Sequence, residues 1–257
     1  MKISVVTISF NQAKYLRQCI DSVLNQSHVD VEYIIVDPGS LDGSKEIIQS
    51  YGDKIVRIFD PDNGPADGLN KGFERATGDI FYFINSDDFV YPEAFKEIVS
   101  IFSKSPLLDI VLAGGDEVDK NGEFVRRFYP SKVSPEAYVN GAVTLFQQGM
   151  FFRRSIYLKA GGFNIQNRTC WDGELLLNFS MCNPVVSRLM KAVAAFRIYP
   201  ESITGSQRFY LQYKLDQERM FSLVYGESIL NRSVLKFWYR LKKILFDPFY
   251  LYKRIFG

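Results

Sequence analysis

The sequence predicts an α/β fold: a mainly parallel sheet, a smaller mixed region after it, and helices at the C-terminus. Three observations carry this. Apolar β-branched or aromatic runs alternate with segments whose apolar residues recur at helical spacing. Each run stops at Asn, Asp, Gly or Pro, and after about residue 115 the alternation gives way to hairpin signals.

The first run, Ile3 to Phe10, leads into Asn11, a fair N-cap for a helix carrying Tyr15, Leu16, Cys19, Ile20, Val23 and Leu24. Tyr33-Ile34-Ile35-Val36 stops at Asp37-Pro38-Gly39-Ser40, and a second helix starts near Ser44. A third strand over residues 54–59 precedes the turn-rich loop Asp60-Pro61-Asp62-Asn63-Gly64-Pro65 and a helix to Arg75. The central strand is Ile80-Phe81-Tyr82-Phe83-Ile84, apolar throughout and so buried on both faces, and it runs into Asn85-Ser86-Asp87-Asp88. A helix from Pro92 to Phe102 and a strand over 109–113 follow, then an Asn121-Gly122 hairpin, a strand at Met150-Phe151-Phe152 and a short helix ending at Gly161-Gly162. A helix after Cys170, a strand over 192–198 and a long helix over 206–225 complete the reading.

In open α/β sheets ligands bind beyond the carboxyl ends of the strands, where Asp87 and Asp88 would project together. Neighbouring carboxylates raise each other's pKa unless a cation or hydrogen-bond donor offsets the repulsion. A divalent metal with phosphate is the economical partner; a turn and helix cap is the other reading of the same residues. With 31 basic and 29 acidic side chains in 257 residues, the chain has no polycationic character to favour nucleic acid. Cys19, Cys170 and Cys182 have no metal-ligand spacing and read as core thiols of a reducing compartment. No run reaches the roughly 18 apolar residues of a membrane span, and the chain enters a strand directly from Met1, which predicts a cytoplasmic-side protein. A G-x-G-x-x-G run is absent, which argues against a dinucleotide dehydrogenase, and Ser9-Phe10-Asn11-Gln12 is not the Gly-rich basic loop of a nucleotidyltransferase.

Four pieces in order, Ser4 to Asn11, Val36 to Ser44, Asn70-Lys71-Gly72 with Ala76 to Asp79, and Asn85-Ser86-Asp87-Asp88, resemble the successive motifs of family 2 glycosyltransferases of the GT-A fold. The resemblance continues through Gln148 to Arg153, Gly161-Gly162-Phe163 and Trp171-Asp172. It implies a Rossmann-like GT-A domain over 1–205, with a nucleotide half over about 1–115 and an acceptor half over about 116–205, and leaves 206–257 as a helical extension. By the same resemblance, Ile8, Ser9, Phe10 and Asn11 line the donor nucleotide and Asp37 sits near its base. Asp67 and Asn70 face the donor or else cap a helix. Asp87 holds the ribose and Asp88 a Mg²⁺ or Mn²⁺ on the diphosphate. Asp172 is the general base, with Glu174 the fallback and an N-cap the plainer role for Asp172. The implied activity is transfer of one sugar, with inversion, from a nucleotide-sugar donor to a hydroxyl of a glycan or lipid-linked glycan, in bacterial surface-polysaccharide synthesis. A catalytically silent nucleotide-sugar-binding protein of the same fold is the alternative. Three departures stand out: Pro38 follows Asp37 where many relatives carry a second acid, Asn85 replaces a frequent Asp, and Tyr199 stands where relatives often place a histidine.

The tail from Val234 to Phe246 interleaves large apolar and basic residues, and the mixture continues to Phe256. A helix of that composition can lie in the interface of an anionic membrane, which predicts a peripheral protein at the inner membrane face held through residues 232–257. Packing on the domain and a dimer contact are the other readings.

Overall fold

The computed structural model describes residues 1–200, 209–226, 231–247, 250 and 252. One nine-stranded sheet organises them. Strands β1 (Lys2–Ile8), β2 (Asp30–Val36), β3 (Val56–Ile58) and β4 (Ile80–Asn85) are parallel in the order β3-β2-β1-β4. Ile8 pairs with Val36 on one side and Asn85 on the other, so the three strands end level and the residues after each emerge at one edge. This register builds the site.

Successive strand side chains point to opposite faces, and here both faces are apolar. Val5, Tyr33, Ile35, Tyr82 and Ile84 meet α1 (Ala13–Leu24) and α4 (Ala94–Lys104) on one side. Val6, Ile34, Val36, Phe81 and Phe83 meet α3 (Pro65–Arg75), α6 (Arg154–Ala160) and α7 (Trp171–Met181) on the other; α2 (Ser44–Ser50) and α5 (Pro135–Val139) are shorter. Each fully buried Phe or Ile in these layers contributes about 2 kcal/mol. The result is a helix–sheet–helix sandwich with a core on each face.

Beyond β4 the sheet becomes mixed. β8 (Met150–Arg153) is antiparallel to β4 and to β6 (Ile110–Val118); β9 (Val186–Arg197) is parallel to β6; β5 (Phe89–Val90) and β7 (Phe124–Phe128) add antiparallel edges. The parallel and mixed regions therefore share one sheet. Both β6 and β9 are longer than the sequence predicts. The expected strand ends at Ala113 with a separate hairpin beginning near Glu117, yet β6 runs on through Gly114, Gly115 and Asp116: a Cβ on Gly115 would lie 1.8 Å from the Phe146 ring, and Asp116 and Glu117 are fixed by Arg127 (2.7 Å) and Arg126 (2.8 Å) from β7. The glycine is there because an aromatic lies against the strand.

Other boundaries shift for local reasons. Asn11 does not cap α1: it takes φ +53°, its Oδ1 accepts from the Leu41 N–H, and Gln12 is the N-cap without a side-chain bond. A 3₁₀ turn at Gly52–Lys54 consumes the start of the expected third strand. The two-residue β5 displaces the expected helix start from Pro92 to Ala94. Cys19 and Cys170 are buried, but Cys182 is half-exposed rather than a core thiol. Helix α8 spans Tyr210–Tyr225 and α9 Arg232–Phe246; the expected start of α8 at 206 and the domain boundary at 205 lie outside the described residues, as does most of the tail after Asp247. Among the described residues no helix is long and apolar enough to cross a membrane.

Candidate active site

A cleft of about 720 Å³ opens at the carboxyl edge of the parallel strands. β1 contributes Ile8, then Ser9, Phe10 and Gln12. Phe10 is 60% exposed, a ring free to stack on a planar ligand. Ser9 is 2% exposed, and its hydroxyl has no hydrogen-bond partner among the described residues. Such a buried orphan is costly unless a ligand or water completes it.

Asp37 and Asn11 are placed behind this surface rather than on it. The Asp37 carboxylate accepts from the Gly39 N–H (3.0 Å), the Ser40 N–H (2.7 Å) and the Ser40 hydroxyl (2.7 Å), while Ser40 Oγ accepts from the Asn11 N–H (2.8 Å). Two loops are thereby locked together, and Pro38 is the residue of the pair that reaches the cleft. Asp67 and Asn70, expected to face the donor, are not among the residues lining the cleft. Asp67 accepts from the Asn63 N–H (2.8 Å) and pairs with Lys71 (3.4 Å); Asn70 binds the Phe163 backbone at both ends and accepts from the Tyr157 hydroxyl (2.7 Å). The acid of this region that lines the cleft is Asp62. Sequence reasoning passed over it because Asp60 to Pro65 reads as a turn; burial raises its carboxyl above the usual range.

The acidic pair is split by one residue of chain rotation. Asp88, expected on the metal, is 1% exposed, and both its oxygens take protein donors: the Arg197 N–H at 2.8 Å and Gln148 Nε2 at 2.7 Å. Asp87 is the carboxylate lining the cleft, and it accepts from the Tyr199 hydroxyl at 2.9 Å. Burial, then the charge of Asp87, pushes Asp88 well above the ordinary carboxylate range; burial raises Asp87 too. Arg197, 2% exposed, supports the pair from behind by donating to the carbonyls of Asp87 (2.9 Å) and Lys120 (3.1 Å) while its guanidinium lies over the Tyr15 ring. Gln148, in the 3₁₀ turn before β8, falls within the stretch the resemblance covers, and Arg197 ends β9; the sequence assigned neither of them this role.

Asp172 lines the same cleft from the first turn of α7. Cys170 is the N-cap, so capping does not account for Asp172. Burial raises its carboxyl, opposed only by backbone N–H groups of its own turn. A Cβ on Gly173 would meet the Tyr138 hydroxyl at 1.8 Å, so this turn is pressed against α5. Glu174 is not available as a second base: Arg219 grips it with two bonds, and Asn164 (2.9 Å) and Asn167 (2.6 Å) complete its shell. Although burial alone would raise it, these donors hold it below its usual value.

No cluster of three or more His, Cys, Asp or Glu among the described residues could hold a metal by itself. Asp87 offers one hard, cleft-facing oxygen ligand, and a Mg²⁺ or Mn²⁺ site completed by diphosphate and water suits that donor set.

A parallel sheet that turns mixed, with paired acids at its central strand end, is the architecture of a GT-A glycosyltransferase. Staphylococcus aureus TarS (residues 1–349) in complex with UDP-GlcNAc superposes with a TM-score of 0.69 at 20% identity, over 91% of this chain and 69% of that one. The mannosyltransferase PcManGT from Pyrobaculum calidifontis, in complex with GDP-Man and Mn²⁺, gives 0.65 at 14% identity over 98% and 72%. The glycosyl transferase family 2 model matches residues 4–162, and the chain belongs to that family. An uncharacterized glycosyltransferase of Nostoc sp. (strain PCC 7120) is 39% identical over 213 residues, 77% of this chain; the chain spans 65% of that relative's length.

Proposed function

We propose that the protein transfers a single sugar from a nucleoside-diphosphate sugar to a hydroxyl of a glycan or lipid-linked glycan, with inversion, in surface-polysaccharide synthesis on the cytoplasmic side. The observation that supports it best is that Asp87 and Asp172 line one cleft at the end of the parallel strands. The complexes of the two solved neighbours with UDP-GlcNAc and GDP-Man favour this donor class.

In this reading Phe10 stacks on the base and Ser9 Oγ gains a partner from the nucleotide. Asp87 takes the metal role first assigned to Asp88, because it is the acid of the pair on the cleft. A bound Mg²⁺ or Mn²⁺ supplies stabilisation of the charge that develops on the leaving diphosphate. Asp88 is a positioning residue, fixing Gln148 and the β9 backbone around the strand end. Asp172 takes the acceptor hydroxyl's proton as the acceptor oxygen bonds to the anomeric carbon, while the bond from that carbon to the diphosphate oxygen breaks. Its raised affinity for a proton makes it the stronger base once ionised.

Incubation with a panel of UDP-, GDP- and dTDP-sugars plus Mn²⁺ tests the reading by release of nucleoside diphosphate. Release with one donor, stimulated by a glycan acceptor, supports it; no sugar-dependent release with any donor and acceptor overturns it.

A further inference from the structure

Helix α9 wears its apolar stripe on the outside. Val234, Phe237, Trp238, Leu241, Ile244 and Leu245 follow the i, i+3, i+4 spacing of one helix face and are all solvent-exposed, Phe237 at 70% and Trp238 at 52%. The face turned to the domain is the more polar one. Lys243 Nζ donates to Thr144 Oγ1 at 2.7 Å, and Arg232 pairs with Glu218. A helix stabilised only by the fold it sits on would be oriented the other way, since burial of its apolar side is what fixes a surface helix.

The charges point to the occupant. At 100° per residue, Arg240 and Lys242 flank the stripe, one on each side, and both are exposed. Residues 232–257 carry seven Lys or Arg and a single acid, Asp247. That acid does not oppose an anionic partner: it is 3% exposed and spends its carboxylate on Arg188 (2.6 Å) and the Lys132 N–H (3.0 Å). A stripe of large apolar residues rimmed by cations, with the local acid neutralised inside, matches the interface of an anionic bilayer. We infer that α9 docks the protein on anionic lipid, lying in the plane of the interface with Phe237 and Trp238 among the acyl chains and Arg240 and Lys242 at the headgroups. The inference goes beyond the transfer reading and does not depend on it.

Sedimentation of the full chain with vesicles tests it, comparing phosphatidylcholine alone with equimolar phosphatidylcholine and phosphatidylglycerol. The protein is expected to bind the anionic vesicles and not the neutral ones, with a blue shift in the part of the tryptophan emission that Trp238→Phe removes. Phe237→Ser with Trp238→Ser should reduce partitioning at least about tenfold. Arg240→Gln and Lys242→Gln should each cost roughly fivefold on anionic vesicles. All four side chains are exposed, so circular dichroism should be unchanged. Equal binding to both vesicle types, or equal binding by the serine variant and the wild type, would overturn the inference. So would a dimer that dissociates in the serine variant while neither protein binds vesicles, since α9 would then serve a second copy of the chain.

Discussion

At the ends of the first two parallel strands Asp37 and Asn11 are held by neighbouring loops, whereas in the mixed half the residues around Asp172 are held from outside by α8. Asp37 closes the loop that follows it and Asn11 clasps the neighbouring loop, while Asp88 bridges to the turn before β8 through Gln148 and to β9 through the Arg197 N–H. Asp172 instead sits on a helix whose next acid, Glu174, is gripped by Arg219, while Thr169 at the cleft donates to Asp216 of the same α8 at 2.7 Å. A nucleotide pocket can be rigid because its ligand class is constant. A wall braced by a later helix can be altered without disturbing the sheet, so under the proposed function differences in acceptor should reside there.

The sharpest way to break the comparison is to remove charge from each side in turn. Asp172→Asn should lower kcat by about 10²- to 10⁴-fold, the usual worth of a general base, in a steady-state assay of nucleoside diphosphate release. On the parallel side, Asp87→Asn should weaken Mn²⁺-dependent donor binding by at least about tenfold. Asp88→Asn should keep Mn²⁺ dependence and lose activity through a disturbed strand end, because its carboxylate faces protein donors. If Asp88→Asn abolishes the metal response and Asp87→Asn does not, the assignment is reversed.

Glu174→Gln should cost about 2 kcal/mol in denaturant unfolding: a buried carboxylate leaves its partner, but Arg219 is partly exposed and water screens part of the loss. Ser9→Ala should change stability by less than about 1 kcal/mol, since its hydroxyl has no partner to lose, while weakening donor binding several-fold.

The pH dependence follows from raised carboxyls. As the proposed general base, Asp172 must be ionised to act, so kcat/KM should fall as pH drops through its folded value, which lies above the exposed-Asp value of about 3.9. For stability the sign is opposite. Asp87 binds its proton more tightly folded than unfolded, so its cost is absent below the unfolded pKa and grows as pH rises through the folded one. Asp87→Asn should therefore stabilise the metal-free protein at neutral pH, with no gain in acid; thermal melts at both pH values check this.

The sheet was legible because apolar runs such as Ile80 to Ile84 leave no reading but a doubly buried strand, and the acids that end it mark the ligand edge. What the sequence could not supply was side-chain rotation at that edge. Asp87 and Asp88 are adjacent and chemically identical, and only the donors brought by Gln148 and Arg197, sixty and 109 residues away, decide which turns inward. Asp67 and Asn70 do not line the cleft, because Asn63, Tyr157 and Phe163 claim their polar atoms. Gly114 and Gly115 hid the length of β6, since a glycine that admits an aromatic ring looks like one that makes a turn.

The measurement that bears most directly on the division of labour is calorimetric titration of the responding nucleotide-sugar, with Mn²⁺, into Asp172→Asn and Asp87→Asn. Wild-type affinity in the first and a marked loss in the second is the predicted result. Lost donor affinity in Asp172→Asn with intact affinity in Asp87→Asn would contradict the account.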